Sequence, residues 1–219
     1  MSNGDEMNGS RLGFEAAVAQ HRLVAVLRGV ADSGLEGMIQ ALLDSGVRLI
    51  EVACSTPNAF EQVERLVRFA KGKAFVGAGT ILNAEMAARA LDAGAEFLVT
   101  PHVALDAIEF ALAHDLGILC GALTPTEIMT ARAAGVRFIK LFPVTDVSPE
   151  YVKALLGPYP DLELLVVGGV GSHNLAPYLK AGAIGAGVGG SLTRLDANDP
   201  EFTAVKREAT ALVKLLARD

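Results

Sequence analysis

Four stretches of the chain repeat one pattern, in which an amphipathic, helix-like run ends in a small residue and glycine and an apolar, strand-like run follows at once. They read DSGVRLIEV, DAGAEFLVT, AAGVRFIKL and KAGAIGAGV. Gly46, Gly94, Gly135 and Gly182 then sit where helices end, a position whose positive φ costs glycine little. Extending the pattern to the intervening segments predicts strands near 23–29, 49–55, 74–80, 97–101, 117–122, 138–143, 163–168 and 183–188. Helical periodicity separates them, for instance over 35–45, 59–70, 84–93 and 126–134. Strand-helix alternation implies a parallel sheet. Eight such units predict an α/β fold closed into a (β/α)8 TIM barrel. The alternative is an open doubly wound sheet, which more often has about five to seven strands.

Length agrees with one barrel, since 219 residues suit a single domain of this kind. No composition shift marks a second domain. The reading is a flexible N-terminal segment and leading helix over 1–22, then the barrel over 23–219. Hydrophobic residues make up 51% and charged residues 20%, with a formal net charge of −6, so a stable, mildly acidic globule is expected. An acidic chain without a long basic run is a poor partner for nucleic acid. The first ten residues, MSNGDEMNGS, lack the apolar core of a signal peptide, and no apolar stretch long enough to span a membrane follows. Cys54 and Cys120 lie far apart and form no metal-spaced pair, which suits a reducing cytosol. These points predict a cytoplasmic enzyme or binding domain that engages neither nucleic acid nor membrane.

Chemistry in such barrels sits at the carboxyl ends of the strands. Those ends carry Arg28, Glu51, Thr80, Thr100, His102 and Lys140, together with glycines, where a purely structural strand would carry Val, Ile and Leu. Lys140 stands out in VRFIKLFP. Side chains alternate across a strand, so Phe138, Lys140 and Phe142 share one face, and if that face points inward the amine enters the barrel mouth. Desolvation disfavours an ammonium, and a neutral amine attacks ketones to form a Schiff base. The competing reading turns Lys140 outward, its stem buried and its charge in water. Glu51 lies on the second strand and Lys140 on the sixth, and alternate strands feed the same inward layer, so the two can face each other. Glu51 is then a proton shuttle or a salt-bridged carboxylate. Gly168 and Gly169 follow the seventh strand and Gly189, Gly190 and Ser191 follow the eighth, the two loops that often cradle phosphate. The plain alternative is a pair of tight turns. His21, His102, His114 and His173 show no close ligand spacing, so neither a metal nor another cofactor is expected.

With these motifs in order, LVAVLRG, EVACSTP, VGAGT, LVTP, GALTPTE, FIKLFP, VVGGV and GVGGSL, the chain resembles the 2-keto-3-deoxy-6-phosphogluconate and 6-phosphogalactonate aldolases, class I Schiff-base lyases. The resemblance implies that Lys140 is the Schiff-base lysine and Glu51 the general acid/base. It also implies that Arg28, Thr80, Gly169, Gly189 and Gly190 bind the keto acid or its phosphate, that Ser191 holds phosphate, and that the assembly is a homotrimer. The implied reaction turns a phosphorylated 2-keto-3-deoxy sugar acid into pyruvate and glyceraldehyde 3-phosphate. Ser55 stands where the gluconate branch has arginine and the galactonate branch asparagine; His102 is also unusual, and Val167 resembles the galactonate branch. The expected substrate is therefore 2-dehydro-3-deoxy-6-phosphogalactonate, with its gluconate epimer as the alternative. Two rival classes are a phosphosugar epimerase or isomerase using Glu51 as base and a noncatalytic phosphoacid-binding barrel.

Overall fold

A computed structural model of the chain describes residues 10–56, 58–193 and 199–217. The polar stretch over 1–9, read as flexible from the sequence, lies outside the described residues. The strands are β1 (Leu23–Leu27), β2 (Leu49–Ala53), β3 (Phe75–Gly79), β4 (Phe97–Val99), β5 (Gly117–Ala122), β6 (Phe138–Leu141), β7 (Glu163–Val167) and β8 (Gly185–Val188). They are parallel neighbours in chain order, and β8 returns to β1 to close the barrel. The open-sheet alternative is thereby overturned. Helices α1 (Arg11–His21), α2 (Leu35–Asp44), α3 (Ala59–Ala70), α4 (Ala84–Asp92), α5 (Leu105–Ala113), α6 (Pro125–Ala133), α7 (Pro149–Leu156), α8 (Leu175–Lys180), α9 (Gly190–Thr193) and α10 (Thr203–Leu216) occupy the rest. The four junction glycines have φ of 91°, 80°, 95° and 110°, the left-handed values that the repeat predicts.

Alternation along the strands divides the core in two. Ala25, Ile50, Val76, Leu98, Ile139 and Val166 face outward under the helices. Val24, Leu49, Phe75, Phe97, Leu119, Phe138 and Leu165 face inward and fill the lower barrel. Helix α1 seals that lower end. Its Phe14 is fully buried, stacks on Phe97 at 4.7 Å between ring centroids and meets Phe75 edge-on at 6.2 Å. A side chain at Gly117 would overlap the Phe14 ring, so that glycine makes room for the seal. Ser10 caps α1 by accepting from the Gly13 N–H at 3.2 Å. With the lower end closed by apolar side chains, only the upper mouth remains for chemistry.

Several strands stop short of the predicted ranges. β6 ends at Leu141 rather than 143, and β4 at Val99 rather than 101. Each predicted range runs on into a proline, Pro143 or Pro101, which has no N–H to donate to a ladder.

Candidate active site

Lys140 stands on β6 between Gly121 of β5 and Leu165 of β7 in register. Its side chain is on the inward face with Phe138, and Ile139 and Leu141 pack outward. The lysine is buried, with 6% of its surface exposed, and Nζ lies 5.0 Å from the centre of the Phe142 ring. Gly121 matters here because a Cβ would stand 2.6 Å from the Thr100 carbonyl. The bare strand lets the β4 exit pass beside the lysine. Thr100 braces that exit: its hydroxyl donates to the His102 carbonyl at 2.7 Å and accepts from the Gly121 N–H at 3.2 Å. His102 itself is exposed at the rim.

Glu51 stands on β2 in register with Val26 and Gly77, and only 1% of its surface is exposed. Its side chain lies over Gly79, where any Cβ would overlap the carboxyl group. Glu51 Oε1 is buried without a hydrogen-bond partner, which is costly for a carboxylate. Burial pushes its pKa above the ordinary carboxylate range, while the charges of Lys140 and Arg28 pull it part of the way back. An inward carboxyl that favours its protonated form and faces an inward amine can carry protons between reacting atoms. Cys54, just past the end of β2, is half-buried, and burial followed by the nearby Glu51 charge pushes its thiol up to about 12, so it is a poor nucleophile.

A cleft of about 400 Å³ opens at the β7 and β8 loops, and Phe142, whose ring neighbours Lys140 Nζ, is on its wall. Val26, Phe142 and Val167 form apolar walls, and Arg28, Gly168, Gly169, His173, Gly189, Gly190 and Ser191 supply the polar edge. Gly168 and Gly169 have φ of 108° and 69°, turning the backbone back over the mouth as only glycine does readily. Nothing stands within 4 Å of where a Cβ of Gly190 would project, leaving the backbone bare toward an incoming anion. Arg28 Nη1 donates to Ser55 Oγ at 2.9 Å, which gives the unusual serine a place at the rim.

Of the residues singled out from sequence, the structure brings Lys140 and Glu51 into the inward layer and Arg28, Gly168, Gly169, Gly189, Gly190 and Ser191 around one cleft. Thr80 is half-buried at the end of β3 with φ of 59°, and it does not line that cleft. Sequence reasoning missed His173. From the sequence this histidine is weighed only as a metal ligand, and the signal was its position in GGVGSHN, four residues after the glycine pair. Among the described residues no group of three or more His, Cys, Asp or Glu is arranged to hold a metal ion, and no helix is long and apolar enough to cross a membrane.

Fold and site together define a barrel enzyme whose mouth joins an amine and a carboxyl to an anion-sized cleft. The chain belongs to the family described as KDPG and KHG aldolase, whose family model matches residues 14–207. It is 33% identical over 198 residues to the "Probable 2-dehydro-3-deoxy-6-phosphogalactonate aldolase" of Rhizobium meliloti (strain 1021), covering 90% of this chain and 91% of the relative. It is 34% identical over 193 residues to the "2-dehydro-3-deoxy-6-phosphogalactonate aldolase" of Escherichia coli (strain K12), covering 88% and 93%. A solved structure described as "Native KDPGal structure" superposes with a TM-score of 0.82 at 32% identity, covering 88% of this chain and 93% of that one. The protein is thus a carbon-carbon lyase of the aldolase type.

Proposed function

We propose that the enzyme is a class I aldolase that cleaves 2-dehydro-3-deoxy-6-phosphogalactonate to pyruvate and D-glyceraldehyde 3-phosphate. The observation that carries this reading is the buried, inward Lys140 sharing the barrel mouth with a buried Glu51 whose carboxyl is pushed toward its protonated form. Lys140 Nζ attacks the C2 ketone, and loss of water from the carbinolamine gives an iminium. Glu51, as carboxylate, removes the C4 hydroxyl proton, directly or through water. The C3–C4 electron pair then flows into the iminium, which becomes an enamine, and the aldehyde departs. Glu51 returns its proton to C3, and hydrolysis of the new iminium releases pyruvate and regenerates the amine.

The phosphate end belongs in the cleft edged by Arg28, Gly168, Gly169, Gly189, Gly190 and Ser191, with Thr80 serving the keto-acid end. In this reading residues 1–22 lead into the barrel of 23–219, and the enzyme is a cytoplasmic homotrimer. Leu82, Leu105 and Met129, each 40% to 46% exposed, support an apolar contact face on the α4, α5 and α6 side.

The galactonate preference follows from Val167, an apolar wall whose Cγ2 lies 2.8 Å from where a Cβ of Gly187 would be. A site that hydrogen-bonds a hydroxyl discriminates strongly, whereas an apolar wall discriminates by only about 10- to 200-fold. The gluconate epimer at C4 is therefore also cleaved, more slowly. The test is kcat/KM for both epimers on the parent and on Val167→Thr, which adds a hydroxyl to that wall. The ratio should move toward gluconate in the variant. A parent that strongly prefers the gluconate epimer, or a ratio the substitution leaves unmoved, contradicts the assignment.

A further inference from the structure

We infer that His173 is a phosphoryl-contacting residue that sets this enzyme's selectivity for phosphorylated over unphosphorylated aldehydes. The inference rests on reading the cleft as the seat of the substrate phosphate and adds to that reading a side chain from the β7–α8 loop. A phosphate monoester carries about −1.5 to −2 charge at neutral pH. Among the described residues Arg28 is the one lysine or arginine on the cleft lining, and its Nη1 is already donated to Ser55 Oγ. Among the described residues the lining contains no carboxylate, and His173 is its other ionisable side chain.

His173 Nδ1 and Ser191 Oγ each lie 3.0 Å from the position a Cβ would take at Gly171, so the β7 and β8 loops bring the two groups to one spot. Glycine at 171 keeps that spot open. The imidazole is exposed and makes no hydrogen bond to another described residue. The backbone beneath it is fixed. Ser172 donates its N–H to Glu208 Oε1 at 2.8 Å and its hydroxyl to Glu208 Oε2 at 2.6 Å. Asn174 accepts from the Gly171 N–H and donates to the Gly169 carbonyl, each at 2.9 Å. Glu208 Oε1 comes within 3.1 Å of the same Gly171 Cβ position, but this carboxylate is engaged twice by Ser172 and is not on the cleft lining. An imidazole donates from at least one ring nitrogen in either tautomer and from both when protonated. A hydrogen bond to a phosphate oxygen is therefore open to His173 at any pH where the enzyme works, and it is of the stronger, charge-assisted kind.

The experiment is the reverse condensation of pyruvate with D-glyceraldehyde 3-phosphate and, separately, with unphosphorylated D-glyceraldehyde, on the parent, His173→Ala and His173→Asn. Inorganic phosphate serves as a competitive inhibitor in the same assay. His173→Ala should raise KM for the phosphorylated aldehyde about 10- to 30-fold, the lower part of what a hydrogen bond to a charged group contributes, because the residue is exposed. The phosphate inhibition constant should rise in parallel, while kcat and the kinetics with D-glyceraldehyde stay within about twofold. His173→Asn, which keeps a donor near the Nδ1 position, should recover part of the loss. An unchanged KM for the phosphorylated aldehyde, or an equal loss with both aldehydes, overturns the inference and leaves the aldolase reading standing. A parent that condenses pyruvate without preferring the phosphorylated aldehyde removes the phosphate seat, and the inference with it. A parent that condenses neither aldehyde removes both.

Discussion

Replacing Gly79 by alanine puts a methyl group where the Glu51 side chain lies. The added Cβ would overlap the Glu51 carboxyl and stand 2.5 Å from its Cγ, well inside any normal carbon-carbon contact. Glu51 has little room to yield, since it is 1% exposed and held in register between Val26 and Gly77. Overpacking of this kind costs about 1–3 kcal/mol, which for a chain of this length lowers Tm by about 2–12 °C. The kinetic effect should be larger. A carboxyl displaced from the reacting atoms forfeits general acid/base catalysis, about 100- to 10,000-fold in kcat. The assay pairs kcat from pyruvate release with thermal unfolding, and adds the double variant Glu51→Ala, Gly79→Ala. On the Glu51→Ala background the overlap is gone, so Gly79→Ala should no longer lower Tm. If Gly79→Ala keeps parental kcat and Tm, or costs as much stability without Glu51 as with it, the carboxyl does not lie over that glycine and the assignment of its role fails.

Gly189→Asp should separate phosphate binding from imine chemistry. A Cβ there meets nothing closer than 3.6 Å, so the variant folds, and like charges about 5 Å apart in such a cleft lower kcat/KM for the phosphorylated substrate about 100-fold or more. Imine formation with pyruvate should change by less than about threefold. Glu51→Gln should stabilise the protein at neutral pH while removing activity. Because burial raises the folded carboxyl's pKa, the folded state retains a proton that the unfolded chain releases from about pH 4.3 upward, so this group's contribution to stability is lost as pH rises. The Tm difference between variant and parent should grow from pH 4 to pH 7, and a constant difference contradicts the burial argument.

The barrel was readable because each α/β unit repeats the same grammar, a helix closed by a left-handed glycine and an apolar strand behind it. Lys140 was readable for a related reason: a lone amine within FIKLFP is incompatible with a strand buried on both faces unless it points into a mouth. Other parts depend on distance rather than pattern. Gly79 looks like any strand glycine in VGAGT, and only the register of β2 with β3 reveals that it makes room for Glu51. Phe14 reads as one apolar residue of a short helix; that it seals the lower barrel against Phe75 and Phe97 follows from closure. His173 and Glu208 lie 35 positions apart and meet around Gly171 because α10 packs back beside the β7–α8 loop, a contact that no local periodicity encodes. Thr80 is legible as a strand-end residue, but that it lies off the cleft of the β7 and β8 loops, as Lys140 and Glu51 also do, follows from the closure of the barrel.

The central claim is that Lys140 forms an iminium, and reductive trapping tests it most directly. The protein is incubated with pyruvate and borohydride, its intact mass is measured, and the modified peptide is sequenced. The account predicts one reduced pyruvate adduct per chain, located on Lys140, and none in Lys140→Met under the same conditions. An unmodified parent, or an adduct on another lysine that persists in Lys140→Met, contradicts it.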